Sequence, residues 1–345
     1  MVWAGDRLVL WSGSKPSSTA GEPLSDGAMW VPATGWQELA PPPDADALVP
    51  GGFALWTGRE VVLGPVASAA TGRRQQSGDG STMLAYRPAS DSWRRIVPDG
   101  AAAEALGDPT VRFSGVASLV GDEILVGRTG GGTGAGRQPG YLVALDPTTG
   151  ASRVLDPGPF DASPYLDLSG ELLVTVAGEK LLASPNWAAE AWLLDPSGSG
   201  TWTPTSPPPI TDLHLHGSVW MEDEALFLAN DPPVAYEVAR DRWRSLTAPP
   251  PALFWARLDG VDAMRRAGDR ILLVEGMYDP AADAWPALPR LPVPEQEVRI
   301  GAFVDWTGDA VVVFGGGSYE CPVDATCEVD PAQIDWTQEG WTYRP

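Results

Sequence analysis

The chain has 345 residues, with 35 prolines, 39 glycines and 16 tryptophans, and a formal charge of −22 from 45 acidic against 23 basic residues. That charge opposes the phosphate neutralisation on which nucleic-acid affinity rests, and it opposes an anionic membrane surface equally. No run approaches the ~20 apolar residues of a membrane-spanning helix, and proline and glycine spread at this density suit short strands joined by turns rather than long helices.

The predicted elements repeat one unit seven times: a short apolar strand, a polar turn, and a second apolar strand. In chain order the copies are Val2–Gly13, Leu55–Gly64, Leu119–Gly127, Leu168–Gly178, Val219–Ala229, Met264–Gly276 and Asp305–Gly317. A Gly-Asp or related polar pair supplies each hairpin. After the first six copies comes an aromatic or apolar strand, then a turn, then usually a tryptophan. These segments are Met29–Trp36, Ala85–Trp93, Ala144–Ser152, Leu193–Trp202, Tyr236–Trp243 and Met277–Trp285. The third has Ser152 where tryptophan is expected, and the fifth lacks the usual proline. Clusters at Pro41–Pro43, Pro207–Pro209 and Pro249–Pro251 read as connections between units. Gly5, Gly58, Gly121, Gly170, Gly268 and Gly308 mark the hairpins, at steps near ~50 residues with one double step across the diverged fifth copy. A lone four-stranded sheet cannot bury both faces. Radial stacking buries them, and the repeated tryptophan fills the wedge between neighbours.

The units resemble kelch repeats and the galactose-oxidase-like propellers of bacterial extracellular proteins. Phe314–Gly317 resembles the kelch diglycine, and Tyr278-Asp279-Pro280 followed by Trp285 resembles its tyrosine and tryptophan. The resemblance covers nearly the whole chain. It implies an all-β, seven-bladed β-propeller of four-stranded antiparallel blades, a single domain over 1–345. The approximate blades are 1–50, 51–109, 110–160, 161–211, 212–254, 255–297 and 298–345. Trp341–Pro345 matches Leu84–Pro88, so the last unit stops before its turn and outermost strand. The first unit starts late, so the ring-closing blade reads as incomplete. Further N-terminal residues, with a signal or anchor, are expected upstream. Arginine outnumbers lysine, of which there are only Lys15 and Lys180, and this suggests a GC-rich bacterial source.

Chemistry is harder to find. The copper site of galactose-oxidase-like enzymes needs histidines, tyrosines and a cysteine cross-linked to tyrosine. The two histidines and the paired cysteines of this chain carry no such motif, so no cofactor is expected. His214 and His216 alternate on a strand and share a face. They read either as two metal ligands or a base, or as two polar residues at the mouth of an inner strand. The absence of an evident third ligand favours the second. The glycine-rich Gly127–Gly136 runs into another strand and reads as a loop, because a dinucleotide fingerprint must open a helix. Cys321 and Cys327 lie in one loop. A local disulfide is favoured over free thiols, and it implies an oxidising compartment.

One constellation is richer. Nine residues before the hairpin glycine stand Arg112 in the third unit and Arg299 in the seventh. The same count from Gly170 gives Asp161, and it gives His214 if Asp223 takes the glycine's place; Arg257 lies eleven before Gly268. In a propeller these positions start the innermost strands near one mouth of the channel. Arginines there can hold a carboxylate or sulfate by paired hydrogen bonds, with Phe113, Tyr165 and Trp255 stacking on a sugar or peptide. The alternative is that each arginine pairs with a carboxylate of its own blade. The expected function is a monomeric, non-catalytic module of the cell envelope or exterior. It binds a protein or a small acidic ligand, without nucleic acid and without inserting into a membrane. The other expectation is an epimerase- or lyase-like enzyme for an acidic sugar, since sialic-acid epimerases share this propeller type.

Overall fold

A computed structural model describes residues 1–14, 23–43, 48–68, 82–107, 112–129, 141–156, 172–185, 190–197, 200–210, 218–228, 232–250, 265–272, 276–286, 297–300, 303–320, 335–336 and 339–344. The fold is all-β, of the seven-bladed β-propeller class. The chain forms two compact units, Met1–Leu213 with four blades and His214–Pro345 with three.

In the first unit every blade is a four-stranded antiparallel meander. Blade 1 comprises β1 (Val2–Trp3), β2 (Leu8–Ser14), β3 (Pro23–Val31) and β4 (Gly35–Glu38). Blade 2 comprises β5 (Leu48–Trp56), β6 (Val61–Ser68), β7 (Met83–Arg87) and β8 (Ser92–Ile96). Helix α1 (Gly100–Gly107) follows. Blade 3 comprises β9 (Arg112–Val120), β10 (Glu123–Thr129), β11 (Tyr141–Leu145) and β12 (Ser152–Leu155). Blade 4 comprises β13 (Leu172–Ala177), β14 (Lys180–Pro185), β15 (Trp192–Leu194) and β16 (Trp202–Pro204).

In the second unit, blade 5 is again a four-stranded meander: β17 (Val219–Met221), β18 (Glu224–Phe227), β19 (Val234–Glu237) and β20 (Arg242–Ser245). Blade 6 has β21 (Arg265–Ala267), β22 (Arg270–Leu272) and β23 (Met277–Tyr278), with a bridge between Asp279 and Ala284 where a fourth strand begins. Among the described residues blade 7 has three strand positions, each occupied by two short strands. These are β24 (Glu297–Ile300) and β25 (Phe303–Trp306), β26 (Val311–Phe314) and β27 (Gly317–Glu320), and β28 (Asp335–Trp336) and β29 (Gly340–Tyr343). The middle position bends at Gly315 and Gly316, whose φ of 65° and 90° only glycine adopts freely.

Why the third strands read as unbroken apolar runs is plain from packing. Alternate residues of a strand face opposite ways. In β7, Met83 and Ala85 enter a core shared with blade 3, while Leu84 and Tyr86 enter one shared with blade 1. In β11, Val143 and Leu145 face blade 2, while Leu142 and Ala144 face blade 4. A strand walled on both sides has no polar face to show.

Helix α1 was not expected among the strands. Its Ala102, Ala105 and Leu106 lie at helical spacing, and all three are buried in the core between blades 2 and 3. The helix lengthens the step from Gly58 to Gly121.

The hairpins differ from expectation in two copies. In blade 4 the turn residue is Gly178, with φ of 70°, between β13 and β14, rather than Gly170. Both glycines flank the same apolar run, so either fits the pattern. In blade 5 the residue with positive φ is Glu222, at 53°, one before Asp223. Counting nine back from these residues gives Ser169 and Leu213 rather than Asp161 and His214.

Gly150 combines two constraints. Its φ is 79°, and a Cβ there would meet the Val97 carbonyl oxygen at 2.9 Å. Gly150→Ala is expected to lower stability by about 2 kcal/mol, from left-handed strain alone of ~1–2 kcal/mol plus the clash. Chemical denaturation checks this, and an unchanged midpoint would mean that the blade 3 turn moves away from blade 2 at no cost.

Candidate functional site

The expected ligand residues fall mostly outside the described residues. His214, His216, Trp255, Arg257, Cys321 and Cys327 lie there, as do Asp161, Tyr165 and the glycine-rich stretch from Gly130 to Gly136. Two candidates have a described backbone. Arg112 opens β9 opposite Thr129 of β10, and Arg299 lies in β24 opposite Ser318 of β27. Both therefore stand on the first strands of their blades, each within its own unit.

What the structure builds in detail is the joint between blades. In blade 2 the turn after β7 places Asp91 in a left-handed conformation, with φ of 44°. Its carboxylate accepts the Tyr86 hydroxyl at 2.8 Å and the Ala40 amide at 3.0 Å. Trp93 packs tilted against Tyr86 with centroids 4.7 Å apart, and its indole N–H donates to the carbonyl of the same Ala40. Tyrosine, aspartate and tryptophan, at positions i, i+5 and i+7, thus grip both polar groups of one residue in the preceding blade.

The same arrangement recurs between blades 5 and 6. Asp283, with φ of 46°, accepts the Tyr278 hydroxyl and the Thr247 amide, and Trp285 donates to the Thr247 carbonyl at 2.8 Å. In blade 5, Tyr236, Asp241 and Trp243 show the same hydroxyl bond and the same tilted ring contact at 4.7 Å. Blade 4 keeps only the indole, with Trp202 donating to the Asp156 carbonyl. Blade 3, with Ser152 in the tryptophan's place, uses another device. Ser152 and Asp99 exchange hydrogen bonds, amide to side chain in both directions. Val97, the counterpart of Ala40, is left 60% exposed because no indole covers it.

A second tie runs the other way round the first unit. Arg7 donates to the Pro88 carbonyl, Arg94 to Pro147 and Arg153 to Pro196, each in the following blade. Each guanidinium is held by an acid of its own blade: Arg7 by Asp6, Arg94 by Glu60 and Arg153 by Glu123. In blade 5, Arg244 pairs with Glu224 in the same way at 2.6 Å.

Electrostatics follow from these bonds. Burial pushes the Tyr86, Tyr236 and Tyr278 phenols well above their usual range, and the aspartate that each bonds adds to the shift. For Asp283 burial acts upward, but the Thr247 amide and the Tyr278 hydroxyl outweigh it and the pKa falls. Hydrogen bonds from Arg94, and then from Arg87, hold Glu60 below the usual glutamate range against the cost of burial. The two buried acids among the described residues, Glu60 and Glu237, each carry two arginines. Glu60 thereby aims Arg94 at the Pro147 carbonyl of the next blade, while Glu237 ties Arg240 and Arg242 within blade 5. Among the described residues, no group of three or more His, Cys, Asp or Glu side chains is arranged to hold a metal ion, and no helix is long and apolar enough to cross a membrane.

Sequence reasoning found the tyrosines and tryptophans but missed the aspartate. Its signal was present in Tyr86–Trp93, Tyr236–Trp243 and Tyr278–Trp285, always five residues after tyrosine and two before tryptophan. No protein-family profile matches the chain, and no curated protein resembles it in sequence.

Proposed function

We propose that the chain is a non-catalytic binding module, a kelch-type propeller of the bacterial cell envelope or exterior that acts as a monomer. The observation that carries the reading is the double neutralisation of Glu60 and Glu237. Buried acids held this way serve a rigid scaffold, and rigid scaffolds present ligands to the residues on their strand ends and loops. Cys321 and Cys327 form a local disulfide in this reading. The ligand is a protein or a small acidic compound, held where the innermost strands begin. Arg299 serves there in the second unit, with His214, His216, Trp255 and Arg257 on the chain before it. Arg112 serves in the first unit.

The test is thermal stability across acidic sugars, simple anions and divalent metals, with wild type, Arg112→Ala and Arg299→Ala measured separately. One acidic compound is expected to raise stability saturably, by about 2.7 kcal/mol at a hundred times its Kd. At least one variant loses that effect. If no compound shifts the transition, or if both variants respond like wild type, the small-ligand reading at these arginines is wrong.

A further inference from the structure

Met29 of β3 and Met277 of β23 hold the same register. Met29 opposes Val9 and Met277 opposes Leu272, each a second-strand residue four after its hairpin glycine, Gly5 or Gly268. Two after that glycine stands Arg7 in blade 1 and Arg270 in blade 6. Both arginines donate through Nη1 to the facing sulfur, at 3.7 and 3.6 Å. In blades 2, 3 and 5 the two places change together. There the hairpin residue is Glu60, Glu123 or Glu224, and the facing third-strand residue is Ala85, Ala144 or Ala235. The thioether thus accompanies the guanidinium, which gap-filling alone does not require.

We propose that Met29 and Met277 are a pair of methionine-oxidation sites, whose sulfoxides the folded protein holds through Arg7 and Arg270. A peroxide supplies the oxygen. The sulfur lone pair attacks one peroxide oxygen and the O–O bond breaks. The departing hydroxide takes the proton of the transferred hydroxyl and leaves as water, so sulfur loses two electrons and the peroxide gains them. A thioether is a weak acceptor and a sulfoxide a polar one, costly to bury without a donor. Here a guanidinium already points at each sulfur. Arg270 also has a buried Nε without a hydrogen-bond partner, a second donor for the new oxygen. Each sulfur lies beneath an arginine that reaches solvent: the methionines are 6% and 2% exposed, the arginine side chains 23% and 41%. Both sulfurs also border the following blade, Met29 in a core with Leu63 and Leu84, Met277 in one with Val311 and Val313. Arg7 Nη1 donates to the Pro88 carbonyl as well, at 3.4 Å, so an oxygen on Met29 competes for the group that ties blade 1 to blade 2. The inference goes beyond the ligand reading and uses none of its residues.

Hydrogen peroxide at neutral pH, applied to the full chain, is the probe. Peptide mass spectrometry follows each methionine, and circular dichroism reports that the fold persists. Met221 is the control, because it is 6% exposed like Met29 and, among the described residues, no donor reaches its sulfur. Met29 and Met277 are expected to oxidise about tenfold faster than Met221 and the fully buried Met83. Arg7→Leu slows Met29 about fivefold, the worth of one hydrogen bond, and leaves Met277 as it was. Arg7→Lys, which keeps a donor, retains most of the rate. Oxidation of Met29 or Met277 no faster than that of Met221, or only as the protein unfolds, overturns the proposal. So does an Arg7→Leu variant whose Met29 reacts as fast as in wild type or faster. The comparison with Met221 needs no variant, so it decides even if Arg7→Leu fails to fold.

Discussion

Glu60→Gln is expected to lower the stability of the first unit by about 2–3 kcal/mol, a melting shift of about 5–10 °C. Glu60 is 6% exposed and binds Arg87 at 2.7 Å and Arg94 at 2.5 Å. Removing one member of a fully buried ion pair costs about 3–5 kcal/mol, because the other charge stays desolvated. Here the two arginine side chains are 37% and 33% exposed, so water recovers part of that cost. Arg87 already has a buried Nε without a partner, so losing Glu60 adds to its unmet donors. Arg94 loses the acid that aims it at the Pro147 carbonyl, and the joint between blades 2 and 3 loosens with it.

The pH dependence has a defined sign. The folded pKa of Glu60 is lowered, so its stabilisation is complete above the unfolded glutamate value of about 4.3. It fades as pH falls through the lower folded value. Wild type and Glu60→Gln should therefore differ most at neutral pH and converge in acid. A difference that stays constant down to pH 2 would mean that the lost stability came from packing instead of charge.

Trp93→Ala is the other large effect, about 3 kcal/mol. The indole packs tilted against Tyr86 at 4.7 Å and meets Trp11 edge-on at 4.8 Å. It also donates to the Ala40 carbonyl. Trp93→Phe keeps most of the contact and loses the donor, so it should cost about 1 kcal/mol. Asp91→Ala removes the acceptor for both Tyr86 and Ala40. Because the groups share Ala40 and Tyr86, Asp91→Ala combined with Trp93→Ala should cost less than the two single changes added together. Strict additivity in denaturation midpoints would show that the three side chains do not act as one latch.

The blades were legible because their apolar runs and turn glycines recur, and Gly5, Gly58, Gly121, Gly268 and Gly308 all take the positive φ a hairpin uses. Blade 4 was misread by one element because Gly170 and Gly178 bracket one run, and only strand pairing separates them. Helix α1 hid in an alanine-rich connection whose helical spacing covers just two turns. The aspartate of the latch was hidden because Asp91, Asp241 and Asp283 look like ordinary turn residues. The role of Asp91 and Asp283 depends on a backbone amide 51 and 36 residues away, which no local pattern encodes. Of the ligand candidates, Arg112 and Arg299 lie on β9 and β24, the first strands of their blades.

The receiving half of each indole joint is main chain. Ala40, Asp156 and Thr247 share no side-chain chemistry, yet each offers its carbonyl to an indole. A neighbour's side chain at the contact can therefore drift without unfastening anything, and only the donor blade keeps its identity. That makes the blades interchangeable parts. A duplicated or transplanted blade brings its own fastener and finds a mating surface wherever it lands. Blade 3, which trades its tryptophan for serine, departs from this rule and depends on the side chain of Asp99.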